Sequence, residues 1–276
     1  MASDARLPDF DRPPVVETAI GVDFPPLVGW TVADYGLFWN AIRSEYPETE
    51  AQTPLPSQLE RFDAEGRHAN PMIGLELVRG EPNVRCWYRN DSEGRLIQVQ
   101  RDRFLHNWRK TGQRQEYPRY PDTRRMFEQS WERFLAFLDT ERIARPVAHQ
   151  CEVTYVNHIE RGQGWRTMAD LPAVCPLLAG RSSSWFLPDA EVVVLTASYV
   201  LPDERGRLHI SIQPGIRNSD QVEILQLQLT ARGRPKSEST SDVLAWLDMG
   251  REWVVRGFVD VTSAAMHERW GRRNAA

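Results

Sequence analysis

Leu96-Ile97-Gln98-Val99-Gln100 and, 128 residues later, Ile224-Leu225-Gln226-Leu227-Gln228 share one alternation of apolar and amide side chains. A period of two places successive side chains on opposite faces of a strand. Each stretch therefore reads as a β-strand, with Ile97 and Val99 on one face of the first and Leu96, Gln98 and Gln100 on the other. A long helical pattern follows each. Pro121-Asp122 opens a helix to about Thr140, with Phe127, Trp131, Phe134, Leu135 and Leu138 along one side. A second helix runs from about Ser241 to Asp260, with Leu244, Leu247, Val254 and Phe258 on one side.

Upstream of the first stretch, Val15–Phe24 has strand character and Pro25-Pro26 stops it. Thr31 or Asp34 caps a helix to about Tyr46, whose apolar positions Val32, Tyr35, Trp39, Ile42 and Tyr46 fall at helical spacing. Residues 47–82, rich in proline, glycine and acid, read as a long excursion. Strands at Val84–Arg89 and Leu96–Leu105 follow, joined by Asn90–Gly94. Beyond Arg145-Pro146 the series resumes: a strand at His149–His158, a short helix around Ala169–Leu178, then strands at Glu191–Leu201, Arg207–Gln213 and Gln221–Thr230. The pattern predicts an α+β fold of two related halves, 15–145 and 146–276, after an arm at 1–14. Each half reads β-α-β-β-…-α, which builds antiparallel sheets with long helices packed on one face. TATA-binding-protein-like and GyrI-like folds share this plan, a likeness of architecture that carries no function.

Several phrases occur together here: RPPVVETAIGVDF at 12–24, LIQVQRDRFLHNWRK at 96–110, YPRYPDTRRMFEQSWERF at 117–134, CEVTYVNHI at 151–159 and FVDVTSAAMHERWG at 258–271. The chain thereby resembles a sporadically distributed family of bacterial proteins that carries no assigned activity. The resemblance covers most of the chain and implies no catalytic residue. Sporadic distribution would suit a mobile-element or phage-defence setting.

Composition narrows the function classes. The 276 residues carry 41% hydrophobic and 26% charged side chains, enough for a substantial core. Three cysteines, an odd number without Cys-x-x-Cys spacing, argue against a disulfide framework and a zinc site. No apolar run approaches the ~18 residues of a membrane span, and the acidic, proline-rich start lacks a signal-peptide pattern. The expectation is a cytoplasmic protein with no membrane association. No P-loop, Gly-x-Gly-x-x-Gly or Gly-x-Ser-x-Gly motif occurs. Ser182-Ser183-Ser184 reads as a loop, and Asp63 and Glu65 as solvated surface. The six histidines, among them His68, His106 and His158, show no metal-ligand spacing. No catalytic residue, cofactor or metal is expected.

The segment from Arg95 to Arg125 holds nine basic residues against three acids, on a chain of net charge −4. Phe104, Trp108, Tyr117 and Tyr120 lie among them. Arginine and aromatic side chains are the usual anchors of interfaces. Arg101, Arg103, Asn107, Trp108, Arg109, Tyr117 and Tyr120 are therefore the candidate partner-binding residues, with another protein as the expected partner. Trp87, Trp165 and Trp185, in strand or loop context, are further candidates for such a surface. The expected role is a non-enzymatic binding or accessory protein. Two alternatives stand beside it: single-stranded nucleic-acid binding through the same patch, and a hydrolase whose site assembles from distant residues.

Overall fold

The computed structural model describes residues 7–62, 84–112, 115–178 and 186–273. His68, Asp63, Glu65, Arg114, Ser182-Ser183-Ser184 and Trp185 lie outside the described residues, as does most of the 47–82 excursion.

The elements, in chain order, are β1 (Asp9–Phe10), β2 (Val15–Asp23), α1 (Val32–Ile42), β3 (Glu48–Gln52), β4 (Arg85–Asn90), β5 (Arg95–Gln100), β6 (Arg103–Arg109) and α2 (Tyr120–Thr140). Then come β7 (Gln150–Glu160), α3 (Leu171–Val174), β8 (Leu195–Val200), β9 (Arg207–Arg217), β10 (Val222–Gly233), α4 (Thr240–Val261), α5 (Ala264–Arg269) and β11 (Arg272–Arg273). β1 and β11 pair with each other. The other nine strands form one antiparallel sheet in the order β3-β4-β5-β6-β2-β7-β10-β9-β8. The fold is α+β, as the pattern predicts.

The order mirrors about the β2–β7 seam. Each of these central strands is flanked by the strand that precedes a long helix, β6 before α2 and β10 before α4. This corrects one detail of the predicted repeat. Leu96–Leu105 is not one strand: Arg101-Asp102 forms a tight turn that splits it into β5 and β6. The turn contains no glycine, proline or asparagine, so the alternation reads through it. Its carbonyls are instead taken by the chain after β2, with Phe24 N donating to Asp102 O and Leu27 N to Arg101 O. The spatial counterpart of β10 is thus β6, and the Leu96–Gln100 repeat sits one strand farther from the seam.

The turn from β4 to β5 follows expectation. Gly94 adopts φ +65°, and a Cβ there would fall 2.3 Å from the Arg109 carbonyl. Asp34 caps α1 by accepting from the N–H and Oγ of Thr31 (2.6 and 2.8 Å). Ser239 Oγ accepts from Asp242 N at the start of α4.

All the long helices pack on one face. Under α1 and α2 the core is aromatic: Phe104 lies 4.9 Å from Phe134, and Phe38 sits edge-on to Tyr88 and Phe134 at 5.4 Å each. α4 covers β7, β9 and β10, and approaches closely at Gly257, where a Cβ would meet the Leu208 side chain at 2.5 Å. No helix among the described residues is long and apolar enough to cross a membrane.

Candidate functional site

The sheet separates the seven candidate residues. Strand pairing sets Gln100 opposite Arg103, Gln98 opposite Leu105 and Leu96 opposite Asn107 on the helix-free face. Arg103, Asn107 and Arg109 therefore point away from the helices. Trp108 points toward them, 2% exposed, with Tyr117 at 5.4 Å between ring centres. Tyr120 is buried at the start of α2 and donates to Asp248 Oδ1 (2.8 Å). Arg101 is exposed in the β5–β6 turn, its Nε donating to Leu27 O. Arg101 and Arg103 do not share the face that a continuous strand would have given them. Of the other tryptophans, Trp165 is buried with Nε1 on Ile159 O, whereas Trp87 lies on the helix-free face.

That face is mainly polar. The inner strands commit one apolar side to the core, and their alternate positions carry mostly charged, hydroxyl and amide groups, with Leu96, Leu105 and Ile224 set among them. Arg103 pairs with Asp23 through Nε and Nη2. Gln150 Nε2 donates to Asp23 Oδ2 (2.8 Å). Glu152 pairs with Arg232 and accepts from Thr154 Oγ1. Nearer β4, Asn107 accepts from Gln98 Nε2 (2.8 Å) and donates to Glu17 (2.7 Å). The Arg85 and Arg109 guanidinium groups lie 5.4 and 5.0 Å from the Trp87 ring centre. Burial pushes the Asp23 carboxyl up despite Arg103, and Glu152 beside it adds to the rise. Glu152 is driven the same way by burial, but Arg232 and Arg103 outweigh that and hold it low.

Residues 53–62 lie across one end of this face as an extended segment. Pro54 and Pro56 have no N–H to add to a ladder, so the segment crosses the sheet over its side chains instead of pairing at an edge. Two glutamines hold it by the same geometry. Gln100 Oε1 accepts from Leu55 N (2.8 Å) and its Nε2 donates to Leu55 O (3.0 Å). Gln150 Oε1 accepts from Glu60 N (2.9 Å) and its Nε2 donates to Gln58 O (2.9 Å). A carboxylate fixes each amide from below, Asp102 for Gln100 and Asp23 for Gln150. Glu60 then pairs with Arg207 (2.7 Å) and His209, and Arg207 lies over Phe62 at 4.3 Å. Burial raises the Glu60 carboxyl, but His209 and Arg207 together bring it below its ordinary value.

The other end of the face is an open cleft of about 1310 Å³. Gln213, Gln226 and Gln228 line it beside His158, with Arg109 and Arg217 at its sides. Gln226 faces both His158 on β7 and Gln213 on β9. His158 Nδ1 is buried without a hydrogen-bond partner, and burial with the nearby Arg217 charge lowers its pKa. Among the described residues no group of three or more His, Cys, Asp or Glu side chains is arranged to hold a metal ion.

The glutamines are the candidate site residues that the sequence pattern alone did not single out. Their signal was present, since Gln98, Gln100, Gln226 and Gln228 interrupt otherwise apolar strands, but it served only to mark the repeat.

No family model, no curated protein and no solved structure matches this chain. The resemblance to the sporadically distributed bacterial family rests on the quoted phrases alone.

Proposed function

We propose that this protein is a binding protein that receives an extended polypeptide segment of a partner in the cleft on the helix-free face of its sheet. The observation that carries the reading is the protein's own segment at 55–60, held on that face by paired glutamine–backbone hydrogen bonds. A carboxamide offers one acceptor and two donors, so it can satisfy both the N–H and the C=O of a passing backbone. Gln213, Gln226 and Gln228 present the same chemistry in the open cleft. Arg109 and Arg217 are paired with Glu17, Glu160 and Asp220 in the cleft, so it is Arg12, Lys110 and Arg269 that would favour acidic side chains on the incoming segment, and Trp87, between Arg85 and Arg109, extends the surface toward β4.

The test is selection from a displayed library of random twelve-residue peptides, followed by affinity measurement of the enriched sequences. Each lost hydrogen bond is worth about 0.5–1.5 kcal/mol. The triple variant Gln213→Ala/Gln226→Ala/Gln228→Ala should therefore bind the selected peptides at least ~10-fold more weakly. Failure to enrich any peptide, or unchanged binding by the triple variant, overturns the reading. A single-stranded oligonucleotide that binds instead, with affinity falling steeply with salt, would put the nucleic-acid reading in its place.

A further inference from the structure

On the opposite side of the sheet, a cavity of about 390 Å³ lies between the N-terminal arm, the start of α2 and the middle of α4. Phe10, Pro13, Val254, Val255 and Phe258 give it apolar walls. Its polar groups come from Tyr117, Tyr155, Asn157 and Arg251, together with Tyr120, Arg119 and the Asp9 carboxylate, whose charge is met by Arg119 and Arg273. The Arg251 guanidinium lies over the Tyr120 ring at 5.1 Å and beside the Tyr155 hydroxyl. Its Nε–H is buried without a hydrogen-bond partner. Tyr117 Oη donates to Tyr155 Oη (2.9 Å), which leaves the Tyr155 proton for another acceptor. Arg119, also at the rim, is already committed to Asp9 and to the Phe10 carbonyl.

Arg251 is among the residues lining this cavity, which is large enough for a small organic molecule. The donors that converge there call for an anion, and the planar fork of arginine matches a carboxylate. The rings of Phe10 and Phe258 call for a flat apolar body attached to it. We propose that this cavity is a binding site for a small aromatic carboxylate, its carboxylate on Arg251 and Tyr155 and its ring against the apolar wall of Phe10, Val254 and Phe258. The site meets the glutamine cleft only at Pro13 and Val15, shares none of its glutamines and does not depend on it. Because Phe10 belongs to β1, which pairs with β11, an occupied cavity also braces the arm against the body of the protein.

The experiment uses the full chain with benzoate, phenylacetate and the neutral isostere benzamide, read by calorimetry and by thermal shift. The carboxylates should bind saturably and raise Tm, and benzamide should bind at least tenfold more weakly. Arg251→Gln should remove that preference, bringing the carboxylates to the level of the amide. Val255→Trp, which fills the cavity from a half-buried position without opening the core, should abolish binding of all three. Saturable carboxylate binding that survives Val255→Trp would place the site elsewhere. Absence of saturable binding, or equal affinity for benzoate and benzamide in the unaltered protein, would overturn the proposal. If Arg251→Gln does not fold, the benzoate–benzamide ratio and Val255→Trp decide the matter without it.

Discussion

His106 has its imidazole 2% exposed on the helix side of β6, with Nε2 3.2 Å from the Tyr46 hydroxyl. Burial, helped by the Arg95 charge, lowers its pKa from 6.5 to about 3. Folding therefore favours the neutral ring. Its contribution to stability is complete above the unfolded value of 6.5 and is lost as pH falls from there toward 3. Each unit in that window is worth about 1.4 kcal/mol. His106→Gln should lose this component of the pH dependence. The urea midpoints of the two proteins should converge as pH drops from 7 to 4.5, and parallel curves would show that His106 titrates normally. The same residue scale explains why the arginine patch was only partly legible. Arg103 looks like a ligand contact in a basic run, yet its partner Asp23 lies 80 positions away, and composition contains no information about pairing at that distance. Trp108 is similar: one residue of register decides whether it faces the core or the open side, and the hidden turn at Arg101-Asp102 set that register.

At the scale of elements, the segment over the sheet is fastened by two amides and one ion-pair cluster. Glu60, 10% exposed, is its strongest anchor. Its carboxyl lies below the ordinary 4.5, so the anchoring is complete above that value and weakens as pH falls through the depressed one. A hydrogen bond to a charged group contributes about 1.5–3 kcal/mol. Glu60→Gln should accordingly speed hydrogen exchange at the Leu55 and Glu60 amides at pH 7 by roughly tenfold or more, with β2 and β7 unaffected. Equal protection in the two proteins would mean that Gln100 and Gln150 hold the segment unaided. The proline pair announced that residues 53–56 are not a ladder strand, but nothing local announced where they lie. That position is set by side chains on β5, β7 and β9, three strands that come together only in the completed sheet.

At the scale of the molecule, one antiparallel sheet spans both sequence series, and its centre is the β2–β7 pair. Ile20 lies opposite Val153 and Val22 opposite Cys151, all of them buried. Removing either series would expose these side chains and an unpaired central strand edge. Unfolding in urea should therefore be one transition, coincident by tryptophan fluorescence and circular dichroism. Residues 7–145 expressed alone should fail to fold or should self-associate through β2, and a folded monomeric fragment would refute the shared core. The overall plan was legible from the repeat and the long amphipathic helices, because periodicity reports which side of an element is apolar. The single sheet was not, since no local pattern distinguishes two strands that pair from two that end separate sheets. The β1–β11 ladder has a mechanical consequence of its own. Tension applied through residues 9 and 273 meets this short clasp first, with its Asp9–Arg273 and Asp11–Arg273 pairs, so the clasp would act as a fuse: it opens and lengthens the molecule before any load reaches the sheet.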